Sequence, residues 1–459
     1  MSGNDERAQS GPGAPWEPRI VAFVCRWCTY AGADLAGTSR LKYPPQIRMI
    51  KLPCTGRIDP LFLLRAFAMG ADGVLVSGCH PGDCHYTSGN YAARRRWVVF
   101  RELLDLVGVE QERLHFSWVS AAEGGKFVEI VKKVTDSVRA VGPFAGFASG
   151  EDALGHGYAE NRAVARLDGG RGGVGAGGDE LSAADLDRMR ADLASGSVKS
   201  ILGPIVARIP GRLRAAWITA PEAVSRLRRA GANRPPLVPL LLRRLRQDPE
   251  GIHGIVAGPA ESAALLVLAA EHQVDPARII VYSVNVPATP AASSMATPAA
   301  DPAAGSPPPE STLLASIAAA RNQAPVPLVP DLSRPAAERR AFWNAAFDRC
   351  VRCYACREAC PLCSCVQCVA DKTRPRWIDS SATPDGNWLW NVTRAFHLAG
   401  RCIECGACTE ACPVGIPLSA LSIHLNRVIE QSFGSRQDGE AARSALLSFR
   451  LEDEAPFIM

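Results

Sequence analysis

Several features that would place the chain in a common class of protein are missing from its sequence. No stretch reaches the roughly 18 uninterrupted apolar residues of a membrane span, and the best candidate, Ala263 to Ala270, lies between Glu261 and Glu271. The polar beginning of the chain lacks the apolar core of a secretory signal. These absences predict a cytoplasmic protein without a membrane span.

Strong charge and hydrolytic motifs are missing as well. The formal net charge is only +5 over 459 residues, and no basic stripe is interleaved with aromatics, so we expect no nucleic-acid partner. The sequence has no Ser-His-Asp set, no zinc-hydrolase motif and no evident acid–base carboxylate pair, so no independent catalytic site is expected. The length predicts two or three globular domains.

Cysteine, in contrast, is abundant and unevenly placed. The chain has 16 cysteines, and clustered cysteines in a cytosolic protein are more often metal ligands or redox groups than disulfides. The long middle of the chain has none, which predicts two separate sites. Eleven lie between Cys350 and Cys412. The other five are Cys25, Cys28, Cys54, Cys79 and Cys84.

The N-terminal cysteines follow predicted strands. Because strand-like and helix-like segments alternate, we predict a parallel sheet covered by helices on both faces. Cys25 ends the first strand, Cys54 follows the second and Cys79 follows the third. Open α/β sheets bind ligands beyond the carboxyl ends of their strands, so these thiols should share one edge with Cys28 and Cys84. The predicted strands are Ile20–Val24, Ile47–Leu52, Val74–Val76 and Leu114–Val119, and the predicted helices are Leu61–Met69, Tyr91–Val107 and Lys126–Val141.

An iron–sulfur cluster held by four of these five cysteines is the favoured interpretation of that edge. The alternatives are a dithiol pair at Cys25 and Cys28, buried thiols without a further role, and a zinc site. The residues leave open which of the five is not a ligand.

The middle of the chain predicts a smaller α/β segment between two linkers. A Gly-rich stretch from Asp168 to Gly178 and a Pro/Ala-rich stretch from Pro287 to Ser311 are typical of linkers. No catalytic constellation is evident between them. Gly254 to Pro259 has a weak resemblance to a phosphate-binding turn, but a plain strand–turn–helix is favoured. Predicted strands are Ala215–Thr219, Ile252–Gly258 and Ile279–Val284, with a predicted helix at Glu261–His272.

The C-terminal cysteines form a stronger pattern. The spacing C-x₂-C-x₂-C-x₃-C-P occurs from Cys350 to Pro361 and again from Cys402 to Pro413. It is the spacing of bacterial two-cluster ferredoxins, in which the fourth cysteine of each motif binds the other cluster. Four-cysteine zinc sites remain the less favoured alternative, because zinc usually pairs two distant C-x₂-C units. The crossed assignment puts Cys350, Cys353, Cys356 and Cys412 on one [4Fe-4S] cluster, and Cys402, Cys405, Cys408 and Cys360 on the other.

Three further cysteines, Cys363, Cys365 and Cys368, follow the first motif. They are interpreted as inert thiols beside a cluster, with a further metal or redox-active thiols as alternatives.

The stretch from Val21 to Pro143 resembles the delta subunit of methyl-viologen-reducing hydrogenase. The resemblance is carried by Cys25-x-x-Cys28, by Pro53-Cys-Thr-Gly-Arg-Ile-Asp-Pro60 and by Gly78-Cys-His-Pro-Gly-Asp-Cys-His-Tyr86. It implies a [2Fe-2S] cluster held by the cysteines. It also implies electron transfer between a hydrogenase, or its substitute, and the flavin subunit of heterodisulfide reductase.

The stretch from about Ser195 to Ser432 resembles iron–sulfur beta subunits related to formate dehydrogenase and deazaflavin-dependent hydrogenase. The match is best at Arg349–Trp377 and at Arg394–Leu418, and it implies the same two [4Fe-4S] clusters. In the middle, Gly258-Pro-Ala-Glu261 stands where the family usually has Gly-Cys-Asp, which departs from the pattern of a flavin or nucleotide site.

The expected fold class is α/β. It comprises a flavodoxin-like parallel sheet domain at 18–145, a Gly-rich linker at 146–194 and a middle α/β domain at 195–286. A Pro/Ala-rich linker at 287–330, an α-rich two-[4Fe-4S] ferredoxin-like domain at 331–435 and a tail at 436–459 follow.

The expected function is that of an electron-transfer component in a hetero-oligomer. It would relay single electrons between a hydrogenase, formate dehydrogenase or NAD(P)H-oxidising flavoprotein and a heterodisulfide reductase A-like flavoprotein. One rival is a redox-sensing or zinc-stapled interaction protein that uses the N-terminal cysteines as thiols. A second rival keeps the clusters and adds catalysis by a flavin or nucleotide bound in the middle domain.

Overall fold

The computed structural model describes residues 16–147, 181–209, 212–229, 235–283, 329–434, 444–453 and 455–459. Both predicted linker stretches, 168–178 and 287–311, lie outside these ranges. No helix within them has the length and apolar content that crossing a membrane requires.

The N-terminal unit is a four-stranded parallel sheet covered by helices. Its strand order is β2-β1-β3-β4, the doubly wound order of flavodoxin-like folds, as predicted. Alternate residues of β1 face opposite sides, so Ala22 packs with α1 and α4 while Phe23 packs with α2 and α3. The elements are β1 (Ile20–Cys25), α1 (Thr29–Thr38), β2 (Ile47–Leu52), α2 (Pro60–Ala68), β3 (Gly73–Gly78), α3 (Gly89–Leu106), β4 (Leu114–Trp118) and α4 (Gly124–Val141).

Helix α1 was not predicted from the sequence. Its sequence is rich in alanine and glycine, and its one long aliphatic residue, Leu35, is exposed. The segment therefore lacks the apolar periodicity that predicts a helix. The small residues Gly32, Ala33 and Ala36 are buried instead, because α1 packs closely against α4. A Cβ at Gly124 of α4 would lie 2.9 Å from the Ala36 amide nitrogen of α1, and one at Gly32 would lie 2.7 Å from the Ser120 carbonyl oxygen in the loop before α4, so the close packing requires glycine at both positions.

The middle unit is a mixed sheet in the order β6-β5-β7-β8. Strand β5 was missed because Gly203-Pro204 interrupts its apolar run, and proline lacks a ladder donor. The structure accommodates Pro204 because β5 pairs with β7 only from Ser200 to Leu202. Helix α5 begins within the predicted linker and packs on this sheet. The elements are α5 (Ala183–Ser195), β5 (Ser200–Val206), β6 (Leu213–Ile218), α6 (Leu237–Gln247), β7 (His253–Ala257), α7 (Pro259–Ala270) and β8 (Ile279–Ser283).

The C-terminal unit is helical, as predicted. Helix α10 begins with an N-cap and a proline. The Thr383 side chain accepts a hydrogen bond from the Gly386 amide at 3.1 Å, and Pro384 occupies the first helical position; both features favour the start of a helix. The elements are α8 (Ala336–Asp348), α9 (Ala355–Ala359), α10 (Pro384–His397), α11 (Ala407–Glu410) and α12 (Leu418–Phe433).

The N-terminal and C-terminal units share one hydrophobic core. Helix α10 packs on α2, and α12 packs on α3. Trp388 of α10 is fully buried and stacks on Phe147 with ring centroids 4.5 Å apart. The last described residues return to the first sheet, where the Met459 amide donates to the Phe116 carbonyl oxygen of β4 at 3.1 Å. The two cysteine-bearing units therefore form one packed block.

Candidate metal centres

Three N-terminal thiols meet at the carboxyl edge of the parallel sheet. Cys25 is the last residue of β1, Cys79 directly follows β3, and their Sγ atoms lie 3.6 Å apart. Cys28, which precedes α1, joins them so that all three sulfurs lie within 4.8 Å of one another. The predicted convergence of successive strand ends is thus observed in this part of the fold.

A second pair of thiols lies at the same edge. Cys54 follows β2, and its Sγ lies 3.9 Å from that of Cys84. Gly89, the first residue of α3, lies next to both thiols. A Cβ added at this position would lie 2.3 Å from Cys54 Sγ and 3.4 Å from Cys84 Sγ. The Gly56 amide donates to Cys54 Sγ at 3.4 Å. Position 89 therefore has space only for glycine, because any side chain there would clash with the Cys54 thiol.

Burial and mutual contact perturb the pKa values of these thiols. The hydrogen bond from Cys79 lowers the pKa of Cys25 to about 6, whereas the same contact raises that of Cys79. Burial raises the pKa of Cys54 to about 11. Thiols packed this closely cannot all ionise without a cation nearby, because each thiolate disfavours the next. The donor set fits a metal centre, which binds thiolates and displaces their protons.

Two neighbours of the N-terminal thiols were given no role from the sequence, although Gly89-Asn90 is part of the text that resembles the delta subunit. The Asn90 side chain donates to the carbonyl oxygens of Cys79 and His80 at 3.2 and 2.7 Å, which holds the loop after β3. Trp27 stacks on His85 with ring centroids 3.8 Å apart and covers the loops that carry Cys28 and Cys84. Asn90 is 11 residues from Cys79 and 10 residues from His80 in the sequence, so no local sequence pattern indicates these hydrogen bonds.

The two C-terminal motif loops share one unusual backbone geometry. In each motif the residues two and four positions after the first cysteine have positive φ: Arg352 and Tyr354 in the first, Glu404 and Gly406 in the second. Three of these four are not glycine, and L-residues rarely adopt this region. The repeated strain indicates that both loops wrap around objects of the same shape. It supports two similar clusters more strongly than two unrelated sites.

The charges of the C-terminal thiols act across the two motifs. Burial, with smaller contributions from Cys408, Cys350 and Cys412, raises the pKa of Cys356 to about 11. Burial also raises the pKa of Cys402, with Cys405 and Cys360 adding to the effect. Cysteines from each motif therefore face the fourth cysteine of the other. Cys353 is exposed on the first loop.

Within the described ranges, the single group of three His, Cys, Asp or Glu ligands tight enough for one ion is Cys25, Cys28 and Cys79, and the C-terminal motif cysteines form no such group. A four-iron cube keeps its ligand sulfurs further apart than one ion does, so this arrangement is compatible with [4Fe-4S] clusters. Of the three extra cysteines, Cys363 hydrogen-bonds with Cys360, Cys365 is exposed and Cys368 precedes a short turn.

Helices α10 and α12 fix the cluster loops through side chains that sequence reasoning missed. Asn387 donates to the Cys350 carbonyl oxygen at 3.0 Å, and Arg394 donates to that of Cys356 at 2.9 Å. Asn426 donates to the Cys402 carbonyl oxygen at 2.8 Å. Polar residues buried on apolar helix faces are the one signal that could have indicated them.

The middle unit shows no phosphate cradle at the described turn from β7 to α7. The Glu261 carboxylate accepts a hydrogen bond from the Gly258 amide at 3.1 Å, so a negative group already occupies this helix N-terminus. A cavity of about 300 Å³ lies nearby, between the middle unit and Cys405, and its charged lining residues are Arg212, Glu261 and Glu410. These residues give no excess of positive charge for an anionic ligand, and the plain strand–turn–helix interpretation agrees with the geometry of the turn.

Two family models match the chain. Residues 20–142 match the delta subunit of methyl-viologen-reducing hydrogenase, and residues 346–416 match the 4Fe-4S dicluster domain. The iron–sulfur subunit of the F420-non-reducing hydrogenase vhc from Methanococcus voltae is 53% identical over 128 residues, which are 28% of this chain and 89% of the relative. The iron–sulfur subunit of the F420-non-reducing hydrogenase from Archaeoglobus profundus is 48% identical over 129 residues, 28% of this chain and 94% of the relative.

A further relative carries the same domain inside a longer protein. It belongs to the ferredoxin/F(420)H(2)-dependent CoB-CoM heterodisulfide reductase of Methanosarcina acetivorans. The two sequences are 44% identical over 126 residues, which are 28% of this chain but only 16% of that relative.

A flavodoxin-like unit with thiols at its sheet edge, joined to a 4Fe-4S dicluster domain, defines an iron–sulfur protein. Through residues 20–142 the chain belongs to the family of methyl-viologen-reducing hydrogenase delta subunits. The resemblance stated from the sequence motifs is confirmed.

Proposed function

We propose that the chain is an electron-transfer protein that relays single electrons through one [2Fe-2S] and two [4Fe-4S] clusters. The observation that carries the proposal is the packing of both cysteine-bearing units into one core. A relay requires its centres to stay at fixed separations, and a shared core provides that. When bound, the clusters supply reversible one-electron chemistry; the chain supplies thiolates, burial and hydrogen bonds to sulfur, which tune their potentials.

The proposed ligands of the two [4Fe-4S] clusters follow the crossed assignment. The supporting observations are the paired left-handed positions of the two loops and the proximity of each fourth cysteine to the opposite motif. Amides also point at these sulfurs, from Glu404 to Cys402 Sγ and from Ile416 to Cys412 Sγ, both at 3.4 Å. The first cluster takes Cys350, Cys353, Cys356 and Cys412; the second takes Cys402, Cys405, Cys408 and Cys360.

The proposed [2Fe-2S] ligands come from the two thiol groups at the sheet edge. Cys54 and Cys84 form one pair, which would bind one iron. Two of the three remaining thiols, Cys25, Cys28 and Cys79, would bind the other. The fifth thiol then belongs to this group of three, which the sequence alone left open among all five.

The interface between the two units offers contacts along which electrons can pass. Asp59, the N-cap of α2, lies five residues after Cys54, and its carboxylate is 3.7 Å from His397 Nε2 at the end of α10. Phe62 of α2 packs on Trp377 with ring centroids 4.9 Å apart. These contacts connect the element after an N-terminal thiol with the segment between the two C-terminal motifs.

The proposed partners follow from the relatives. Because the heterodisulfide reductase relative contains this domain within its own chain, we propose a heterodisulfide reductase A-like flavoprotein as one partner. The other partner would be a hydrogenase, a formate dehydrogenase or an NAD(P)H-oxidising flavoprotein. Bond-making chemistry belongs to these partners in a hetero-oligomer. A cytoplasmic location agrees with thiols that must stay reduced to bind iron.

The experiment that tests the proposal measures iron and acid-labile sulfide per chain on anaerobically purified protein, with EPR after dithionite reduction. We expect about ten irons per chain, with a [2Fe-2S] signal beside interacting [4Fe-4S] signals. About eight irons without a [2Fe-2S] signal would remove the N-terminal cluster from the proposal. Reduction of a dye by hydrogen or formate with the purified chain alone would contradict its dependence on partners.

A second candidate function is redox sensing at the N-terminal edge. The observation that favours it is the 3.6 Å separation of Cys25 Sγ and Cys79 Sγ, which makes this pair, rather than Cys25 with Cys28, the candidate for a reversible disulfide. Mass spectrometry of the air-oxidised, iron-free protein distinguishes the two functions. A Cys25–Cys79 disulfide that re-forms after reduction, in a protein that never takes up N-terminal iron, would favour sensing over electron transfer.

A further inference from the structure

Arg394 lies between the two C-terminal motifs. Its side chain is buried in α10, at 6% exposure. Nη2 donates to the carbonyl oxygen of Cys356 in the first motif at 2.9 Å. Helix α9, which carries Cys356, packs against α11, which carries Cys408 of the second motif. In the crossed assignment Cys356 and Cys408 bind different clusters, so the guanidinium lies where the two ligand sets meet.

No carboxylate balances this charge within the part of the chain that the structure describes. Buried Arg95 and Arg113 do have one, Asp453 at 2.5 Å and Glu110 at 2.8 Å. Buried Arg352 of the first motif loop instead bonds neutral groups, the Gly386 carbonyl oxygen and the Tyr354 hydroxyl. The Arg394 Nε, moreover, has no hydrogen-bond partner there. A buried charge without a counter-ion is costly, so retention of Arg394 calls for a negative partner of another kind. The cysteine sulfurs are the groups that surround it.

Thiols of both motifs lie around this guanidinium. Cys356 and Cys408, together with Cys360 and Cys363, are the groups whose charges act on Arg394. The hydrogen bond to the Cys356 carbonyl oxygen holds the guanidinium in this position.

We infer that Arg394 is a positioning residue whose permanent positive charge raises the reduction potentials of both four-iron clusters. The inference rests on the proposed function, because it requires both clusters to be present. On reduction each cluster gains one electron from the partner donor, no bond forms or breaks, and its net charge falls by one. A guanidinium that never loses its proton stabilises that added negative charge, and net charge and hydrogen bonds are known determinants of cluster potential.

The inference is tested by EPR-monitored redox titration of the full chain with dithionite. At the midpoint potential of each wild-type cluster, Arg394→Gln should lower the reduced-to-oxidised ratio of both by about tenfold or more, which for one electron is about 59 mV. Arg394→Lys, which keeps the charge, should stay within about threefold of wild type. The matched control is Arg427→Gln on α12, because Arg427 is exposed and water and salt screen its charge; its ratios should not change.

A second pair of variants covers the case in which Arg394→Gln does not assemble. Cys363→Asp would place a carboxylate beside Arg394 and offset its charge without removing it, whereas Cys363→Ser is a neutral control. We expect Cys363→Asp to lower both ratios and Cys363→Ser to leave them unchanged. Equal ratios in these two variants, or wild-type ratios in a fully loaded Arg394→Gln protein, would overturn the inference. Wild-type protein with fewer than about eight irons would instead overturn the proposed function.

Discussion

At the residue scale, two exposed cysteines of the C-terminal unit, Cys353 and Cys365, have different expected roles. Cys353 and Cys365 are both exposed, so burial does not separate them. Spacing does, because Cys353 is the second cysteine of a ferredoxin motif and Cys365 lies outside both motifs. Exposure of a ligand is expected where an electron must leave the protein.

These two residues form a matched test. Cys353→Ser should remove or degrade the first cluster and lower the iron content by up to about four per chain, because a serine hydroxyl is a far weaker iron ligand than a thiolate. Cys365→Ser should retain full iron. Iron analysis and EPR of both variants check the result, and equal iron loss in the two proteins would contradict the ligand assignment.

Gly89 is the residue on which the N-terminal site most depends for space. Gly89→Ala would place a Cβ 2.3 Å from Cys54 Sγ, so either the thiol or the start of α3 must move. We expect loss of about two irons per chain. Gly125→Ala in α4 is the control, because its Cβ meets no atom within 4 Å; it should keep its iron and gain up to about 1 kcal/mol of stability. An iron-replete Gly89→Ala protein would show that the pair is not a ligand pair.

At the scale of elements, the tail segment of residues 444–453 is held on α3 by a buried ion pair. Arg95 donates to Asp453 through Nε at 2.5 Å and Nη2 at 2.9 Å, and the rings of Phe449 and Tyr91 stack 5.0 Å apart. Since α3 also begins at the N-terminal thiols and supports α12, the tail stabilises an element on which both sites depend.

Acid should release this tail. Burial by itself raises the pKa of Asp453, but the hydrogen bonds from Arg95 and from the Arg450 amide and the charge of Arg94 lower it below the ordinary value. The folded pKa is thus below the unfolded one, so the contribution is complete above about pH 3.9 and is lost as the pH falls through the lowered value. Hydrogen exchange of residues 444–453 across this range measures the release.

Asp453→Asn gives the corresponding result at neutral pH. Removing one member of a buried pair costs about 3–5 kcal/mol, so exchange in the tail should rise at pH 7 and lose its acid dependence. Asp136→Asn removes one of the two exposed carboxylates that pair with Arg139 and should change little. A tail equally protected in Asp453→Asn and wild type would mean that the aromatic contacts alone hold it.

At the scale of the whole molecule, the two cysteine-bearing units should respond together to damage in their common core. Trp388→Ala removes a ring that packs on Phe147 and Phe347, at a cost of about 3–5 kcal/mol. Hydrogen exchange should rise in both the parallel sheet and the dicluster helices. The middle sheet, β5 to β8, should be unaffected.

Leu241→Ala is the matched control for that experiment. Leu241 is fully buried in α6 and belongs to the core that the middle unit shares with the loops around Cys360 and Cys402. Its loss should raise exchange in the middle unit and near the second cluster but leave β1 to β4 unchanged. If both substitutions loosened all three units equally, the division into two cores would be wrong: one core joins the N-terminal and C-terminal units, and the other joins the middle unit to the loops around Cys360 and Cys402.

Much of this organisation could be predicted because it depends on local pattern. The apolar runs that begin at Ile20 and Ile47 alternate with segments of helical pattern, which predicts a parallel sheet. Cysteines at the carboxyl ends of parallel strands then lie at the same edge of the sheet. Strand β5 could not be predicted, since Gly203-Pro204 is tolerated only because β7 pairs with three residues of β5. Helix α1 was missed because its buried residues are small, and small residues carry weak periodicity.

The sequence by itself determined the cofactor class of the C-terminal unit, because the spacing of a ligand loop is a local property of consecutive residues. It also determined which edge of the first sheet bears thiols, since that follows from strand order along the chain. Only the tertiary structure decided the division of the five N-terminal thiols into three and two, the burial of Arg394 between both motifs and the fusion of two units into one core. Those features depend on contacts between residues far apart in sequence, and no local pattern records them.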